Sequence, residues 1–430
     1  MTRFLPIDEA WTCAWAASMQ GPYPVGNATG QPEMRFAFPN DSEGARDQSF
    51  RMIIRPSVWG RAGRVRFTNV FGKRPLHIQR PFLGLHMAGG AIVPGTNSPI
   101  YFDKACEVVI PPGSFVWSDA VALDYIDDET DRMLLGRKLA LSFHVSGASG
   151  PMSWHAKGLQ TSYISPPGIQ SCTSVENETA FPFPTTSWFF IDALDMKCSE
   201  KVPVIVCLGD SITDGSGSTI SGDDRWPDVL SRRLQADGDQ RVSVVNQGIG
   251  SNQILRPIIY HPSSPTIGGP SALARLDRDV VSLSGVNTVI WLEGINDLAS
   301  GEASVEALIE GTQKVIQYLR MNIPGVRLMM GTLTSTFRAT IEAHGRPEVD
   351  SKRKRFNCYL QSCGLLDGII DFDTATRDPI SGGLREEMKP GSSIGGSGDG
   401  VHPNRIGYQA MAKSIDLSLI RQFLSREPLV

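Results

Sequence analysis

The second half of the chain alternates apolar runs with amphipathic stretches, and this alternation constrains the fold more than any other feature. Val202 to Leu208 is a nearly continuous apolar run, a helical pattern follows from Arg225 to Ala236, and the next apolar run is Val242 to Val245. Strands that are apolar on both faces and alternate with helices are typical of a parallel sheet with helices on both sides. The same pattern predicts helices at 272–283, 304–321, 351–363 and 404–423, and strands at 288–292, 327–332 and 368–372. We therefore predict a three-layer α/β/α sandwich for this half.

The first 200 residues have a different pattern of apolar and polar residues. Short segments such as Arg64–Asn69 and Leu139–Val145 alternate apolar and polar residues with a period of two, and turns such as Pro111–Gly113 separate them. This spacing favours an all-β sandwich of the jelly-roll type over helices between parallel strands. We predict two domains, a β-sandwich accessory domain at 1–200 and an α/β domain at 201–430.

Composition excludes several classes of protein. The chain has 430 residues, of which 41% are hydrophobic and 20% are charged, so it can bury a sizeable core. Its 41 basic and 45 acidic residues give a net charge of -4, which argues against nucleic acid or an anionic membrane surface as the main partner. We expect no membrane span, because no apolar run approaches ~20 residues. Asp8 and Glu9 precede the first apolar stretch and suit no secretory signal, so we expect a cytoplasmic protein, or a secreted form without its leader.

The seven cysteines are scattered and show no C-x-x-C spacing. This pattern indicates neither a zinc ribbon nor a redox dithiol. We expect most of them to be small buried apolar residues rather than disulfide partners.

The segments at the ends of the predicted strands contain most of the reactive side chains. In an open parallel sheet, ligands bind outside the carboxyl ends of the strands, so segments that follow different strands converge there. Four such segments are Gly209–Gly215, Asn246–Gly250, Glu293–Asp297 and the stretch before the last helix, Asp399–Pro403. We expect them to meet at one edge of the sheet.

These segments contain a complete set of residues for nucleophilic catalysis. A serine hydroxyl needs an imidazole to take its proton, and the imidazole needs a carboxylate to fix its tautomer. Ser211, His402 and Asp399 fit these roles, since Asp399 and His402 are three residues apart in a segment that can turn tightly. The backbone N–H groups of Ser211 and Gly248 and the side-chain amide of Asn296 are predicted donors to the oxyanion.

The four segments resemble the signature blocks of the GDSL-type, or SGNH, hydrolases. The resemblance covers about Val202 to Phe423, and Ile212 stands where the family name has leucine. It implies a flavodoxin-like α/β/α fold and metal-free hydrolysis of esters or thioesters, with no cofactor. The residues that match the four named family positions and the D-x-x-H pair are Ser211, Gly248, Asn296, His402 and Asp399.

The first half resembles, more loosely, the β-rich domain that precedes the hydrolase domain in a long-chain bacterial branch of this family. The stretches that carry the likeness are Ser57–Gly60 and Arg66–Gly72. The leading hypothesis is an esterase that cleaves short or medium acyl esters. One alternative is a carbohydrate O-acetylesterase whose β domain binds the glycan. Another is a non-catalytic carbohydrate-binding or structural protein. The expected partner is a small-molecule or carbohydrate ester.

Other residues near these segments have more ordinary interpretations. Asp210 is expected to brace the turn at Ser211, and His261, in the loop after the second strand, is expected to pack within that loop rather than line the site. The glycine-rich segment Ser381–Gly400 is expected to order around substrate, the alternative being a solvated connector. The remaining histidines outside the motifs, His77, His86, His144, His155 and His344, are expected to be core or surface residues satisfied by hydrogen bonds.

Overall fold

The computed structural model describes residues 11–26, 28–40, 42–238, 241–258 and 268–425. The chain divides into two compact units, with the boundary between Val202 and Pro203. We refer to the described residues up to Val202 as the β-rich unit and to those from Pro203 onward as the α/β unit.

The β-rich unit consists of short antiparallel strands. One sheet has the order β1-β16-β4-β10, with β9 also paired to β4; a larger sheet has the order β14-β13-β3-β11-β5-β6, with β7 and β8 also paired to β5; and a small sheet has the order β15-β12-β2. The strands are β1 (Trp11–Ala16), β2 (Gly21–Pro22), β3 (Arg46–Ile54), β4 (Ala62–Thr68), β5 (Leu76–Ala88), β6 (Ala91–Ile92), β7 (Ser98–Pro99), β8 (Glu107–Ile110), β9 (Phe115–Trp117), β10 (Val121–Ala122), β11 (Leu139–Ala148), β12 (Ser153–His155), β13 (Ser162–Ile164), β14 (Phe183–Thr185), β15 (Trp188–Phe189) and β16 (Ile191–Lys197).

Aromatic side chains fill the core of the β-rich unit. Phe50 stacks on Phe143 with ring centroids 5.3 Å apart, and Phe190 meets Phe50 edge to face at 5.6 Å. All three rings are fully buried. Each such ring buries a large apolar surface and adds about 0.5 to 1.5 kcal/mol through its pairing geometry, so this unit has a hydrophobic core of its own.

The α/β unit is built on one parallel sheet with the order β18-β17-β19-β20-β21. Its strands are β17 (Val204–Gly209), β18 (Ser243–Gly248), β19 (Val286–Leu292), β20 (Arg327–Gly331) and β21 (Gly368–Ile370). Its helices are α1 (Ser211–Asp214), α2 (Trp226–Asp237), α3 (Ala272–Leu276), α4 (Ile295–Leu298), α5 (Val305–Asn322), α6 (Glu342–Gly345), α7 (Pro347–Ser362), α8 (Phe372–Thr376), α9 (Arg405–Lys413) and α10 (Leu417–Ser425).

The central strand β17 explains where the functional segments meet. All six of its residues are buried, as expected for a strand with neighbours on both sides. Its register places Gly209 opposite Gly248 of β18 and opposite Leu292 of β19. The chain runs from β17 outward to β18 and then crosses to β19, so the strand order reverses at β17. Such a reversal opens a crevice at the carboxyl ends of the strands.

Some helix boundaries differ from the sequence prediction. The single helix predicted at 404–423 is two helices, because Asp416 caps a new one through its Oδ1, which accepts a hydrogen bond from the Ser418 N–H at 2.8 Å. The helix predicted at 272–283 is α3 followed by a π-helical turn, Asp277–Val281. The three-layer arrangement and the jelly-roll topology stay predictions. All seven cysteines are free thiols. Only three of them, Cys13, Cys198 and Cys207, are buried, so the prediction that most of them are buried apolar residues is wrong.

Candidate active site

Ser211 is held at the carboxyl end of β17 by the turn that begins α1. Asp210 caps this helix, since its Oδ1 accepts a hydrogen bond from the Ile212 backbone N–H at 3.0 Å. Ser211 is therefore the first helical residue, and its own N–H has no partner within the helix. Gly209 cannot carry a side chain, because a Cβ there would lie 2.3 Å from the Leu292 carbonyl oxygen. The tight turn presents Ser211 at the sheet edge, where it is 6% exposed.

The structure brings Ser211, His402 and Asp399 together as the sequence analysis expected. The Ser211 Oγ lies 2.8 Å from His402 Nε2, and His402 Nδ1 lies 2.6 Å from Asp399 Oδ2. The other carboxylate oxygen, Oδ1, accepts the backbone N–H groups of Val401 at 2.8 Å and of His402 at 2.9 Å. Between the two residues Gly400 adopts a φ of 76°, which a glycine tolerates best. These bonds form a tight turn, which orients the His402 ring so that Nε2 faces Ser211.

Hydrogen bonding fixes the charge of Asp399 and the tautomer of His402. Burial by itself would raise the pKa of Asp399, but hydrogen bonds from the His402 ring and from the N–H groups of His402 and Val401 hold that pKa well below its usual range. The carboxylate is therefore ionised at neutral pH and accepts the Nδ1–H of His402. In the neutral tautomer of His402 that this bond selects, Nε2 carries no proton and accepts the hydroxyl hydrogen of Ser211. This is the state that a general base requires.

Asn296 lies at the carboxyl end of β19, in α4. Gly294, with a φ of 129°, makes the sharp turn that precedes this helix. One Nδ2–H of Asn296 donates to the Asn252 carbonyl oxygen at 3.0 Å, and its Oδ1 lies 3.0 Å from His344 Nε2. The second Nδ2–H has no acceptor among the described residues. This amide therefore keeps one donor available for a ligand.

Gly248 does not present a free N–H, in contrast to the sequence prediction. Its backbone N–H donates to the Asn246 side-chain oxygen at 2.8 Å, a local bond across two residues. A Cβ at Gly248 would lie 2.2 Å from the Asp214 backbone nitrogen. Glycine is needed here because β18 packs closely against α1, not to leave space for a substrate.

The backbone N–H of Ser251 is available instead. The N–H groups on either side of it are used within the fold: Gly250 donates to the Asp214 carboxylate at 2.9 Å, and Asn252 donates to the Ile249 carbonyl oxygen at 3.1 Å. The Ser251 N–H has no acceptor in the described ranges. Ser251 adopts a φ of 66°, an uncommon conformation for a residue other than glycine.

Three buried carboxyl groups surround the ends of β17 and β19. Burial raises the pKa of Asp210 well above its usual range, that of Glu293 to about 7 and that of Asp297 to about 6. The charge of the buried Arg275 opposes this rise at Asp210 and Glu293. The Trp291 indole N–H also donates to Glu293 at 2.8 Å. Clustered carboxyl groups with raised pKa values are frequent at functional sites.

Besides Ser251, the sequence analysis missed four contributors near the site: Asn252, Arg275, Asp297 and His344. Asp297 accepts two backbone N–H groups from residues 254–255, at 3.0 and 2.9 Å, and so ties the loop after β18 to α4. Arg275 donates through Nε to the Asn252 side-chain oxygen at 2.8 Å. Asp297 lies next to the motif residue Asn296, and Asn252 lies just after the segment Asn246–Gly250. Their positions in the sequence could therefore have identified them. Arg275 and His344 come from distant segments, and nothing in their local sequence marks them.

Two of the remaining histidines have the ordinary roles that were expected. His144 Nδ1 pairs with the Ser49 hydroxyl at 3.0 Å, and His155 Nδ1 pairs with the Ser18 carbonyl oxygen at 2.7 Å. His261 lies outside the described residues.

The segment Ser381–Gly400 is anchored at several points in the α/β unit. Leu384 and Met388 are buried, with 2% and 6% of their surfaces exposed, and the Ser392 N–H donates to the Gly217 carbonyl oxygen at 3.0 Å. The segment is thus folded onto the unit along much of its length. Its response to substrate stays a prediction.

The described residues include neither a metal-binding cluster nor a membrane-spanning helix. They contain no group of three or more histidine, cysteine or acidic side chains that could hold a metal ion. None of the helices in the described part of the chain combines the length and apolar character needed to cross a bilayer.

Solved structures similar to this chain include three ester-cleaving proteins. The carbohydrate acetylesterase family member from Sinorhizobium meliloti shares 17% identity at a TM-score of 0.40, covering 52% of this chain and 100% of that chain. The aryl esterase of M. smegmatis shares 16% at 0.38, covering 52% and 99%. The lipase/acylhydrolase from Enterococcus faecalis shares 17% at 0.37, covering 53% and 100%. A search of curated proteins found no match.

The family comparison concerns the α/β unit. Residues 207–410 match the model of the GDSL-like lipase/acylhydrolase family. The matched range includes Ser211, Asn296, Asp399 and His402, which the fold gathers at one edge of the sheet. Residues 207–410 of this chain therefore form an ester-hydrolase domain of the GDSL-like lipase/acylhydrolase family.

Proposed function

We propose that the protein hydrolyses carboxylic esters through an acyl intermediate on Ser211. The observation that carries this proposal is the continuous relay from Ser211 Oγ through His402 to Asp399, with distances of 2.8 and 2.6 Å. With His402 in its neutral Nδ1–H tautomer, this relay has the arrangement that nucleophilic attack needs.

In the first half-reaction, the Ser211 oxygen forms a bond to the ester carbonyl carbon while its proton moves to His402 Nε2. The Asp399 carboxylate stabilises the imidazolium that results. The tetrahedral intermediate collapses, its bond to the alcohol oxygen breaks, and Nε2 gives its proton to the departing alcohol. The acyl group then remains on Ser211.

In the second half-reaction, a water molecule takes the place of the alcohol. It gives a proton to His402 Nε2 as its oxygen attacks the acyl carbon. The bond to the Ser211 oxygen then breaks, and that oxygen recovers the proton from Nε2. One ester and one water are thereby converted into one acid and one alcohol.

We assign three donors to the oxyanion of the tetrahedral intermediates. These are the Ser211 N–H at the start of α1, the second Nδ2–H of Asn296, and the N–H of Ser251. Each lacks an acceptor among the described residues and lies in a segment at the carboxyl ends of the strands. Ser251 takes the place that the sequence analysis gave to Gly248, whose N–H would first have to leave Asn246. Donors held in place in this way stabilise developing charge without reorganisation.

We propose short or medium acyl esters as substrates. The low exposure of Ser211 and Asn296, 6% and 5%, supports this, because an acyl group must enter a confined space to reach them. A panel of p-nitrophenyl esters of increasing chain length, assayed beside acetylated oligosaccharides, tests the acyl length and the nature of the alcohol together. A preference for long-chain esters would contradict the proposed acyl length, and selective release of acetate from the oligosaccharides would instead support a carbohydrate O-acetylesterase.

A serine-directed fluorophosphonate probe tests the chemistry itself. The parent protein should be labelled at Ser211, and Ser211→Ala should not be labelled. If the parent resists the probe, or if the alanine variant still turns over esters, the serine mechanism is wrong.

A further inference from the structure

His344 contacts Asn296 from a segment that belongs to none of the four motifs. It lies in α6, after β20, and its Nε2 is 3.0 Å from Asn296 Oδ1. The residue is 8% exposed, and its carbonyl oxygen accepts a hydrogen bond from the Thr336 hydroxyl at 2.8 Å. Both the ring and the backbone of His344 are therefore held in place.

The Asn252 carbonyl oxygen determines how the Asn296 amide is oriented. A backbone carbonyl only accepts hydrogen bonds, so the side-chain nitrogen of Asn296 must face it, at 3.0 Å. The amide oxygen then faces His344 Nε2. Since an amide oxygen also only accepts, Nε2 must carry a proton. Turning the amide over would place two oxygen atoms in contact at Asn252.

The second ring nitrogen agrees with this assignment. His344 Nδ1 is buried and has no hydrogen-bond partner within the described ranges. Burial, together with the positive charge that His402 carries when it is protonated, lowers the pKa of His344 to about 4, against the opposing effect of Asp399. The ring is therefore neutral at pH 7, and its single proton is the one at Nε2.

We propose that His344 is a positioning residue for the oxyanion site, which acts by donating its Nε2–H to Asn296 Oδ1. With the oxygen held by His344 and one Nδ2–H held by Asn252, the other Nδ2–H has a fixed direction. Donation to the amide oxygen also polarises the amide and strengthens that N–H as a donor. This inference rests on the proposed function, because it assumes that Asn296 stabilises the oxyanion.

A purely structural role for His344 makes different predictions. In that case the ring would only anchor α6, and its removal would lower stability without any dependence on Asn296. A double-mutant cycle separates the two roles, because it measures whether one residue acts through the other.

The cycle uses His344→Phe, Asn296→Ala and the double variant in the full chain, with p-nitrophenyl acetate as substrate. We expect His344→Phe to lower kcat by ~10-fold while KM stays within about threefold, because the oxyanion donor is loosened rather than removed. In the Asn296→Ala background the same change should have no further effect on kcat, within about twofold. Equal losses in both backgrounds would overturn the proposal.

His344→Gln tests the donor directly. Its side-chain amide can supply an N–H near the position of Nε2, so kcat should return to within about threefold of the parent. A glutamine variant as impaired as the phenylalanine variant would contradict the proposal. The control is His155→Phe, another buried histidine, located in the β-rich unit. It should lower the melting temperature without lowering kcat.

A measurement on the parent protein removes any dependence on whether the variants fold. The ¹⁵N chemical shifts of the His344 ring should show the neutral Nε2–H tautomer at pH 7, and an Nδ1–H tautomer would overturn the proposal. A failure of the proposed function would give different results from a failure of the His344 proposal. In that case the fluorophosphonate would not label the parent protein, or Ser211→Ala would remain active.

Discussion

Each unit of this protein contains a serine hydroxyl paired with a histidine ring, but only one of the pairs is arranged for catalysis. Ser49 and His144 in the β-rich unit are 3.0 Å apart, and Ser211 and His402 in the α/β unit are 2.8 Å apart. The distances barely differ. What surrounds each pair differs strongly.

The Ser49–His144 pair is buried, and its groups bond to other parts of the fold. Ser49 has no exposed surface and His144 is 4% exposed, and the Ser49 oxygen also accepts the Cys172 backbone N–H at 3.3 Å. Burial lowers the pKa of His144, and no carboxylate bonds its second ring nitrogen among the described residues. A serine–histidine contact is therefore not a site by itself. It also needs a carboxylate behind the ring and free donors beside the hydroxyl.

Two buried asparagine amides, one in each unit, also differ in how many of their hydrogens are bonded within the fold. Asn69 in the β-rich unit donates both of its Nδ2 hydrogens to backbone carbonyls, those of Arg74 at 2.8 Å and Ile110 at 3.0 Å. Asn296 donates only one within the described structure. The first amide completes a turn, and the second keeps a donor for a ligand.

Buried carboxyl groups differ in the same way. In the β-rich unit, Asp192 pairs with the buried Arg66 at 2.5 Å, and Asp195 pairs with Arg64 at 2.9 Å. In the α/β unit, Glu293 accepts from the Trp291 indole and has a raised pKa. The α/β unit also pairs a buried acid with arginine, Asp279 with Arg275 at 3.2 Å, but near the nucleophile it gathers acids with raised pKa values.

We expect the largest loss of activity when the serine of the α/β unit is replaced. Ser211→Ala should lower kcat by at least ~10³-fold and keep its melting temperature, because no acyl intermediate can form. Ser49→Ala is the matched control and should keep kcat within about twofold, even where it lowers stability. Ester hydrolysis kinetics with thermal unfolding of both variants provide the test, and a large loss of kcat in Ser49→Ala would end the comparison.

The next effect concerns the two amides. Asn296→Ala should lower kcat by ~10²-fold with little change in KM, because its hydrogen bond strengthens only in the transition state. Asn69→Ala should lower stability and leave kcat unchanged. Steady-state kinetics and thermal unfolding of both variants test this. A loss in Asn296→Ala confined to KM would instead make Asn296 a substrate-binding residue.

A third effect is on stability. The folded pKa of Glu293, about 7, lies above its ordinary value of 4.5, so the folded state holds this proton more tightly. The resulting stabilisation is complete below pH 4.5 and is lost as the pH rises through 7. Glu293→Gln, which cannot ionise, should show a weaker decline in the free energy of unfolding between pH 5 and pH 8, by about 2 kcal/mol. Urea unfolding at both pH values measures this, and parallel pH profiles would refute it.

We expect the smallest change in kcat/KM when exposed apolar side chains are replaced. Ile394, in the glycine-rich segment, is 75% exposed, and Met133 of the β-rich unit is 77% exposed. If the segment lines the site, Ile394→Ser should lower kcat/KM for an octanoyl ester about threefold more than for an acetyl ester, because it removes apolar contact. Met133→Ser should change neither. An identical response of both esters in the Ile394 variant would make the segment a connector.

The parts of the site that could be predicted are those specified by neighbouring residues in the sequence. Apolar runs located β17, β18 and β19, and the rule that ligands bind at the carboxyl ends of strands then placed Ser211 and Asn296 together. The Asp399–His402 pair followed from a spacing of three residues. The helix break at Asp416 was missed because the apolar pattern runs through it, although a cap there begins a new helix.

Local sequence pattern specifies which reactive groups come to one edge of the sheet, because strand ends and close spacings are local properties of the chain. Which of their hydrogens remain free depends instead on long-range packing. The Gly248 N–H is taken by Asn246, the Ser251 N–H is left open, and His344 arrives from a segment after β20 to hold Asn296. A donor is available only if no other group in the fold has accepted it, and those groups come from segments whose proximity is set by packing.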